Sequence, residues 1–325
     1  MSKLFLHVGM PKTGTSFIQG FVNVNHKLIR EVIEFDFISG QTPHEIACHL
    51  INDKALIERV DIKELRRTDF EGNKAELNQI KNGRRNCFCS SEYFVLSEKN
   101  DVIEFFSNYF EEIEIIYAVR RQDKLLASGF NQEVKALNLT SNLVWSYRNA
   151  KTLRYFQNCK AWEKLGCKVK VIDYDAVKKE KNGLNKAIFS LFLDAEALFA
   201  ENLREPDTNA SNFSLSENEV LIQLCLNRLN LENDKLMQEF NSFEAIKSEF
   251  ALPPAYAALI ASCYYDDNQA LIAEYIDSES VSDLFFQGIK LDRNINIEEA
   301  KFSWDPLAKN RTLVEFLLEK TSILQ

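Results

Sequence analysis

The segment Gly9-Met10-Pro11-Lys12-Thr13-Gly14-Thr15-Ser16 constrains this chain more than any other. It is entered from the short apolar run Leu4-Phe5-Leu6-His7-Val8. It is left through Phe17, Ile18, Phe21, Val22, Val24, Leu28 and Ile29, which recur at helical spacing and read as core. A strand, a tight turn and a helix in that order aim several backbone N–H groups at one point, where the helix dipole adds partial positive charge. Anions bind at such points. Gly9 and Gly14 stand five apart with Ser16 two further on, which is the spacing of a phosphate-binding loop. Here Thr15 takes the position normally held by lysine, and Lys12 lies inside the turn. Gly14 permits close backbone approach, the hydroxyls of Thr13, Thr15 and Ser16 offer donors, and Lys12 brings a mobile full charge. Gln19, Asn23 and Lys27 read as the solvated face of the helix.

Four short apolar runs, Lys3 to Val8, Asn86 to Ser90, Glu114 to Val119 and Lys168 to Asp173, read as strands. Amphipathic helices are expected at Ile103 to Phe110, Lys124 to Leu137 and Leu153 to Leu165. Strands alternating with helices imply an α/β fold, a doubly wound parallel sheet flanked by helices. Ligands of such sheets bind at the carboxyl ends of the strands, so the loops after Val8, Ser90, Val119 and Asp173 are the places to look. Beyond Leu203 the pattern changes to polar loop and helix without clear strands, beginning at Pro206 to Asn212. The expected organisation is one domain, with an α/β core over 1–203 and a mainly helical extension over 204–325.

Composition narrows the partners. At 325 residues the chain has ample length for a buried core, and a formal charge of −9 argues against nucleic acid or an acidic membrane, both of which need a broad basic surface. Any anion site is therefore local. No apolar run approaches the length of a membrane span or a secretory signal, so a cytoplasmic setting is expected. The seven cysteines form no C-x-x-C pair and read as small buried hydrophobes. The histidines His7, His26, His44 and His49 include no H-x₃-H pair, and no metal is called for. His7 reads as a residue bracing the core or the loop more readily than as a catalyst.

A second anion site is suggested after Ile115-Ile116-Tyr117-Ala118-Val119. Arg120 ends that strand and Ser128 lies two turns into the next helix, so a guanidinium fork and a hydroxyl could serve one phosphate. An arginine paired with Asp123 and a serine merely tolerated in a helix would give the same sequence. With both segments on the page, the chain resembles the sulfotransferases that use 3′-phosphoadenosine 5′-phosphosulfate (PAPS). Pro11-Lys12-Thr13-Gly14-Thr15-Ser16 is similar to that family's 5′-phosphosulfate loop, and Arg120 with Ser128 to its 3′-phosphate motif. Met10 before the loop, and Arg121-Gln122-Asp123 with Asn131-Gln132, are similar to bacterial members that modify carbohydrates. Trp162 before Gly166, Tyr174-Asp175 and Asn268 to Tyr275 also fit. The late Arg-Lys-Gly-x-x-Gly loop of the cytosolic enzymes is missing, which argues against a steroid or phenol acceptor.

The resemblance implies that Lys12, Thr13, Gly14, Thr15 and Ser16 take the phosphosulfate and that Arg120 and Ser128 take the 3′-phosphate. Sulfuryl transfer, like phosphoryl transfer, needs a cation beside the leaving oxygen, and Lys12 is placed for that. The acceptor hydroxyl needs a base. Glu92, in Ser90-Ser91-Glu92-Tyr93-Phe94 after a strand, offers one, as a glutamate does in carbohydrate-directed members, although a helix-start or surface carboxylate would look the same. The implied activity is sulfuryl transfer from PAPS, without a metal, to a hydroxyl on a carbohydrate or glycan. A nucleotide kinase and a non-catalytic PAP or PAPS binder are the alternatives. Tyr93, Phe94, Phe130, Asn131 and Trp145 are candidates for an acceptor pocket and equally for packing.

Overall fold

The strand leaving residue 3 sits in the middle of a five-stranded parallel sheet. The computed structural model describes residues 2–33, 35–38, 40, 42–194, 199, 203–204, 214–230, 249–276, 289, 291–292 and 294–309. In it β1 (Lys3–His7), β2 (Asp36–Phe37), β3 (Cys87–Ser90), β4 (Glu112–Val119) and β6 (Lys168–Asp173) pair in the order β2-β3-β1-β4-β6. Two further strands, β5 (Leu143–Ser146) and β7 (Lys301–Trp304), form an antiparallel ribbon. The Pro206 to Asn212 stretch lies outside the described residues.

Helices make both faces of the sheet dry, which is why the central strands read as unbroken apolar runs. Successive strand residues point to opposite faces. Ile116 joins Phe5, Phe88 and Ile172 beneath the helices Thr15–Ile33 and Gly183–Phe189, with Ile18, Phe21, Val22, Ile188 and Phe189 facing them. Its neighbour Tyr117 points the other way, edge-on to Tyr155 at the start of the helix Tyr155–Glu163. From β1 the chain runs to the edge strand β2, returns to β3 beside β1, and then crosses to β4 and β6 on the other side. That reversal leaves the turn after β1 at the switch point of the sheet.

By spatial clustering the chain divides into two units. The first comprises residues 1–121, 154–210 and 266–287 and carries the whole parallel sheet. Within it Asp267 caps the helix Tyr155–Glu163, its carboxylate accepting from Phe156 N at 3.0 Å and Gln157 N at 3.2 Å. The second unit comprises residues 122–153, 211–265 and 288–325. It holds the helix Gln122–Ala136, the β5–β7 ribbon, and the helix Glu217–Leu229, which Ser216 and Glu219 open with a reciprocal capping box. Asn131 ties that unit together, donating to Leu215 O at 2.7 Å and accepting from Leu215 N at 3.2 Å. Trp145 stacks on Phe302 and Phe130 on Phe250, so the three pocket candidates Phe130, Asn131 and Trp145 serve packing.

Three expectations need correcting. The stretch after Leu203 was expected to lack strands, yet it contains β7, whose four residues are too few for alternation to register in the sequence. Val24, expected in the core, is 45 % exposed because it lies on the helix flank turned from the sheet. Gln19, expected in water, is half-buried and hydrogen-bonded to Ser90 O at 3.0 Å. The apolar runs themselves match strands to within two residues at their ends, and all seven cysteines are free and buried. Among the described residues no helix is long and apolar enough to cross a membrane.

Phe88 is 1 % exposed and meets the rings of Phe37, Phe189 and Phe192. Phe88→Ala should lower stability by about 3–5 kcal/mol, read as a fall in the urea midpoint, because the surrounding rings cannot close the cavity.

Candidate functional site

Main-chain bonds on both flanks fix where β1 ends. Ser91 N donates to His7 O at 3.2 Å on the β3 side, while Val8 N donates to Ile116 O at 2.9 Å and Met10 N to Ala118 O at 3.4 Å on the β4 side. The chain then turns through Lys12 at φ 68° and Gly14 at φ 81° into the helix Thr15–Ile33. Two left-handed residues two apart give the turn its concave run of amides. Lysine in that region costs on the order of 1–3 kcal/mol, a strain that recurs at functional sites. Gly14 is required twice over: its φ disfavours a side chain, and a Cβ would lie 2.4 Å from Leu184 Cδ2 and 3.0 Å from the Tyr174 ring.

The hydroxyls of the turn divide their work. Thr13 is buried and donates to Met10 O at 2.6 Å, so its proton closes the loop and is not offered to a ligand. That corrects the expectation that all three hydroxyls face an anion. Thr15 is buried, Ser16 is exposed and Lys12 is half-buried. The amides of Gly14, Thr15 and Ser16 stand at the helix entrance, where no carbonyl of the helix can accept from them.

His7 braces the turn from beneath. Its Nδ1 shares a 2.8 Å hydrogen bond with Ser90 Oγ across the β1–β3 ladder. Its Nε2 is buried with no hydrogen-bond partner among the described residues, at the spot where a Cβ on Gly9 would come within 2.6 Å. Burial lowers its pKa from the ordinary 6.5 to about 3, so it stays neutral.

Next to the turn, on the β4–β6 side, stands Arg120. It is 6 % exposed; its Nε donates to Asp175 Oδ2 at 3.3 Å, and its main-chain oxygen accepts from Tyr155 Oη at 2.7 Å. Its guanidinium lies 5.4 Å from the centre of the Tyr174 ring, and Tyr174 is also the ring against Gly14. Lys178 approaches the same ring at 5.1 Å and pairs with Asp175 Oδ1 at 2.6 Å. Asp173 accepts from Asp175 N and Ala176 N, so it caps the short turn that presents Tyr174 and Asp175. Tyr174 thus links the phosphate-type turn to Arg120. Ser128 lies half-buried on the helix Gln122–Ala136, in the other unit, and its pairing with Arg120 remains a spacing along the chain.

On the β3 side, Ser91 opens a short 3₁₀ helix, Glu92–Leu96, accepting from Tyr93 N at 3.2 Å. This holds Glu92 at the carboxyl edge with its side chain 25 % exposed and its Oε2 buried without a hydrogen-bond partner among the described residues. His44 lies 3.9 Å from that oxygen. Phe94 is fully buried against Phe106, and Tyr93 Oη is 3.1 Å from Asp61, so both pocket candidates here are engaged within the protein.

The edge of one sheet therefore carries, in spatial order, Glu92, the Lys12 turn, and Tyr174 with Arg120. Gln19, His44, Ser91, Tyr174 and Asp175 were not singled out as site residues by the sequence reading. Ser91 and Tyr174-Asp175 had a local signal, each following a strand; Gln19 and His44 come from helices with no motif.

No family model matches the chain, and no curated protein matches it. Among solved structures, a sulfotransferase from Alicyclobacillus acidocaldarius is similar, with a TM-score of 0.43 and 13 % identity over 70 % of this chain and 93 % of that one. A likeness at that level carries no functional argument.

The His7 shift has a direction that can be checked. Above pH 6.5 the ring is neutral folded or unfolded; below it the unfolded chain binds a proton that the buried ring refuses until about pH 3. Stability should therefore fall by up to about 1.4 kcal/mol per pH unit through that window from this group. His7→Asn, which keeps a polar atom for Ser90, should flatten that part of the curve in urea midpoints measured from pH 7 to 4.

Proposed function

We propose that the chain is a PAPS-dependent sulfotransferase acting on an acceptor hydroxyl, of carbohydrate or glycan type. The observation that carries this reading is the strained Lys12 inside a phosphate-type turn, with Arg120 brought beside the same turn through Tyr174. Two cations at one sheet edge suit a ligand with two separate phosphate-like groups, and the left-handed Gly14, packed under Leu184 and Tyr174, keeps the turn in its concave form. The residues present fit the donor.

In this reading the amides of Gly14, Thr15 and Ser16, with the Thr15 and Ser16 hydroxyls and Lys12, hold the 5′ group. Thr13 shapes the loop. Arg120 holds the 3′-phosphate, with Ser128 assigned to it by its spacing along the chain. PAPS supplies the sulfuryl group: a bond from sulfur to the acceptor oxygen forms as the bond from sulfur to the 5′-phosphate oxygen breaks. Lys12 offsets the charge that builds on that departing oxygen. Glu92 takes the acceptor's proton, a role worth about 10²- to 10⁴-fold. Its buried, donor-free oxygen supports that assignment, since a lone pair that no hydrogen-bond donor occupies is open to an incoming proton.

Calorimetry with PAP tests the first half. Arg120→Ala should weaken binding about 10- to 100-fold, the worth of one or two charge-assisted hydrogen bonds. Unchanged affinity, or tight magnesium-dependent ATP binding by the unaltered protein, would remove the assignment. Turnover tests the second half, with acceptor sulfation read by mass shift. Lys12→Ala and Glu92→Gln should each lose at least about 100-fold in kcat, with PAP affinity for Glu92→Gln within twofold of the parent.

A further inference from the structure

Hydrogen-bond bookkeeping around His44 fixes its tautomer and gives it a task. His44 reaches the site from the helix Thr42–His49, with Nε2 3.2 Å from Gln19 Oε1 and Nδ1 2.8 Å from Ser91 Oγ. The Gln19 amide is oriented by its far end, where Nε2 donates to Ser90 O at 3.0 Å. The end facing His44 is therefore the oxygen, which can only accept. So the proton of the neutral imidazole sits on Nε2, and Nδ1 carries a lone pair. Ser91 Oγ already accepts from Tyr93 N at 3.2 Å, and its own proton is the one that Nδ1 receives.

That lone pair lies 3.9 Å from Glu92 Oε2, the oxygen with no hydrogen-bond partner among the described residues. A shift of about 1 Å would bring the two within hydrogen-bond distance. As long as both groups are unprotonated, neither has anything to donate to the other. A proton arriving on Glu92 changes that at once. We propose that His44 is the proton relay behind Glu92, receiving on Nδ1 the proton that Glu92 takes from the acceptor hydroxyl, and so restoring the carboxylate beside an imidazolium. The inference rests on Glu92 being the base. Atoms balance without a further reagent: the O–H bond of the acceptor breaks, an N–H bond forms on Nδ1, and the Ser91 hydroxyl turns its proton away. His44 acts through Glu92 and is a positioning residue.

The surroundings agree. Burial lowers the His44 pKa, and the negative charges of Glu92 and then Glu45 oppose that fall without cancelling it, leaving a ring that is neutral at pH 7. Glu45 is held by Asn73 at 2.9 Å and Glu76 accepts from Thr42 at 3.2 Å, so both acids of the neighbouring shell are occupied. Tyr93 meets the His44 ring edge-on at 5.4 Å and turns its hydroxyl to Asp61.

Long-range proton–nitrogen NMR of the imidazoles decides the pairing without any nucleotide. The expected result is a proton on Nε2 of His44 and a titration that moves to lower pH in Glu92→Gln, because the charge that raises it is gone. A proton on Nδ1, or a titration indifferent to Glu92→Gln, overturns the proposal. In transfer assays His44→Asn should lower kcat by about tenfold or more and change the acid limb of the pH profile, with PAP affinity within twofold of the parent. Unaltered kcat and pH profile in His44→Asn also overturn it. Coupling by NMR in a protein that does not bind PAP would instead overturn the sulfotransferase reading and leave the His44–Glu92 pair standing.

Discussion

The hydrogen bonds that flank the end of β1 are the constraint on which the rest depends. Ser91 N on one side and the His7-to-Met10 segment's bonds to Ile116 and Ala118 on the other hold a turn whose own conformation is unfavourable. A lysine at φ 68° persists only where its neighbours leave no alternative. Here the alternatives are closed by the ladder below, by the Thr13 hydroxyl on Met10 O, and by Leu184 and Tyr174 against Gly14. The same parallel pairing sends every neighbouring strand out at the same edge, so Glu92, Arg120 and Tyr174 arrive beside the turn without any local sequence signal linking them.

Charge at this edge is arranged and not merely accumulated. The chain carries a net −9, yet Lys12, Arg120 and Lys178 lie at the same edge of the sheet, with Asp175 paired to the latter two. Asp175 holds Arg120, whose guanidinium lies 5.4 Å from the centre of the Tyr174 ring. On the opposite side of the turn the logic reverses: a carboxylate is kept short of donors and a neutral histidine is kept short of a proton.

Sequence patterns carried the strands and the turn because both are governed by short-range rules. A buried parallel strand must be apolar on both faces, and Leu4 to Val8 or Ile115 to Val119 can be little else. The spacing of Gly9, Gly14 and Ser16 is likewise local. Where the reading went astray, the deciding contact came from far along the chain. Gln19 sits at a position that helical periodicity assigns to water, but the helix Thr42–His49 and the end of β3 close over it. Thr13 has a hydroxyl suited to an anion, and the carbonyl three residues back takes it. Four residues of β7 were too few to betray a strand whose partner is more than 150 residues away.

What the sequence determined by itself was the α/β class and the strand–turn–helix segment with Lys12 inside its turn, since these follow from side-chain periodicity and from residues within one turn of each other. What tertiary structure alone decided was which groups share the cradle's edge: His7 beneath it, Tyr174 and Arg120 on one flank, and Gln19, Ser91 and His44 around Glu92 on the other. The physical reason is that a hydrogen-bond partner, a ring face or a buried lone pair is fixed by strand order and helix packing, and these bring together residues separated by tens to more than a hundred positions.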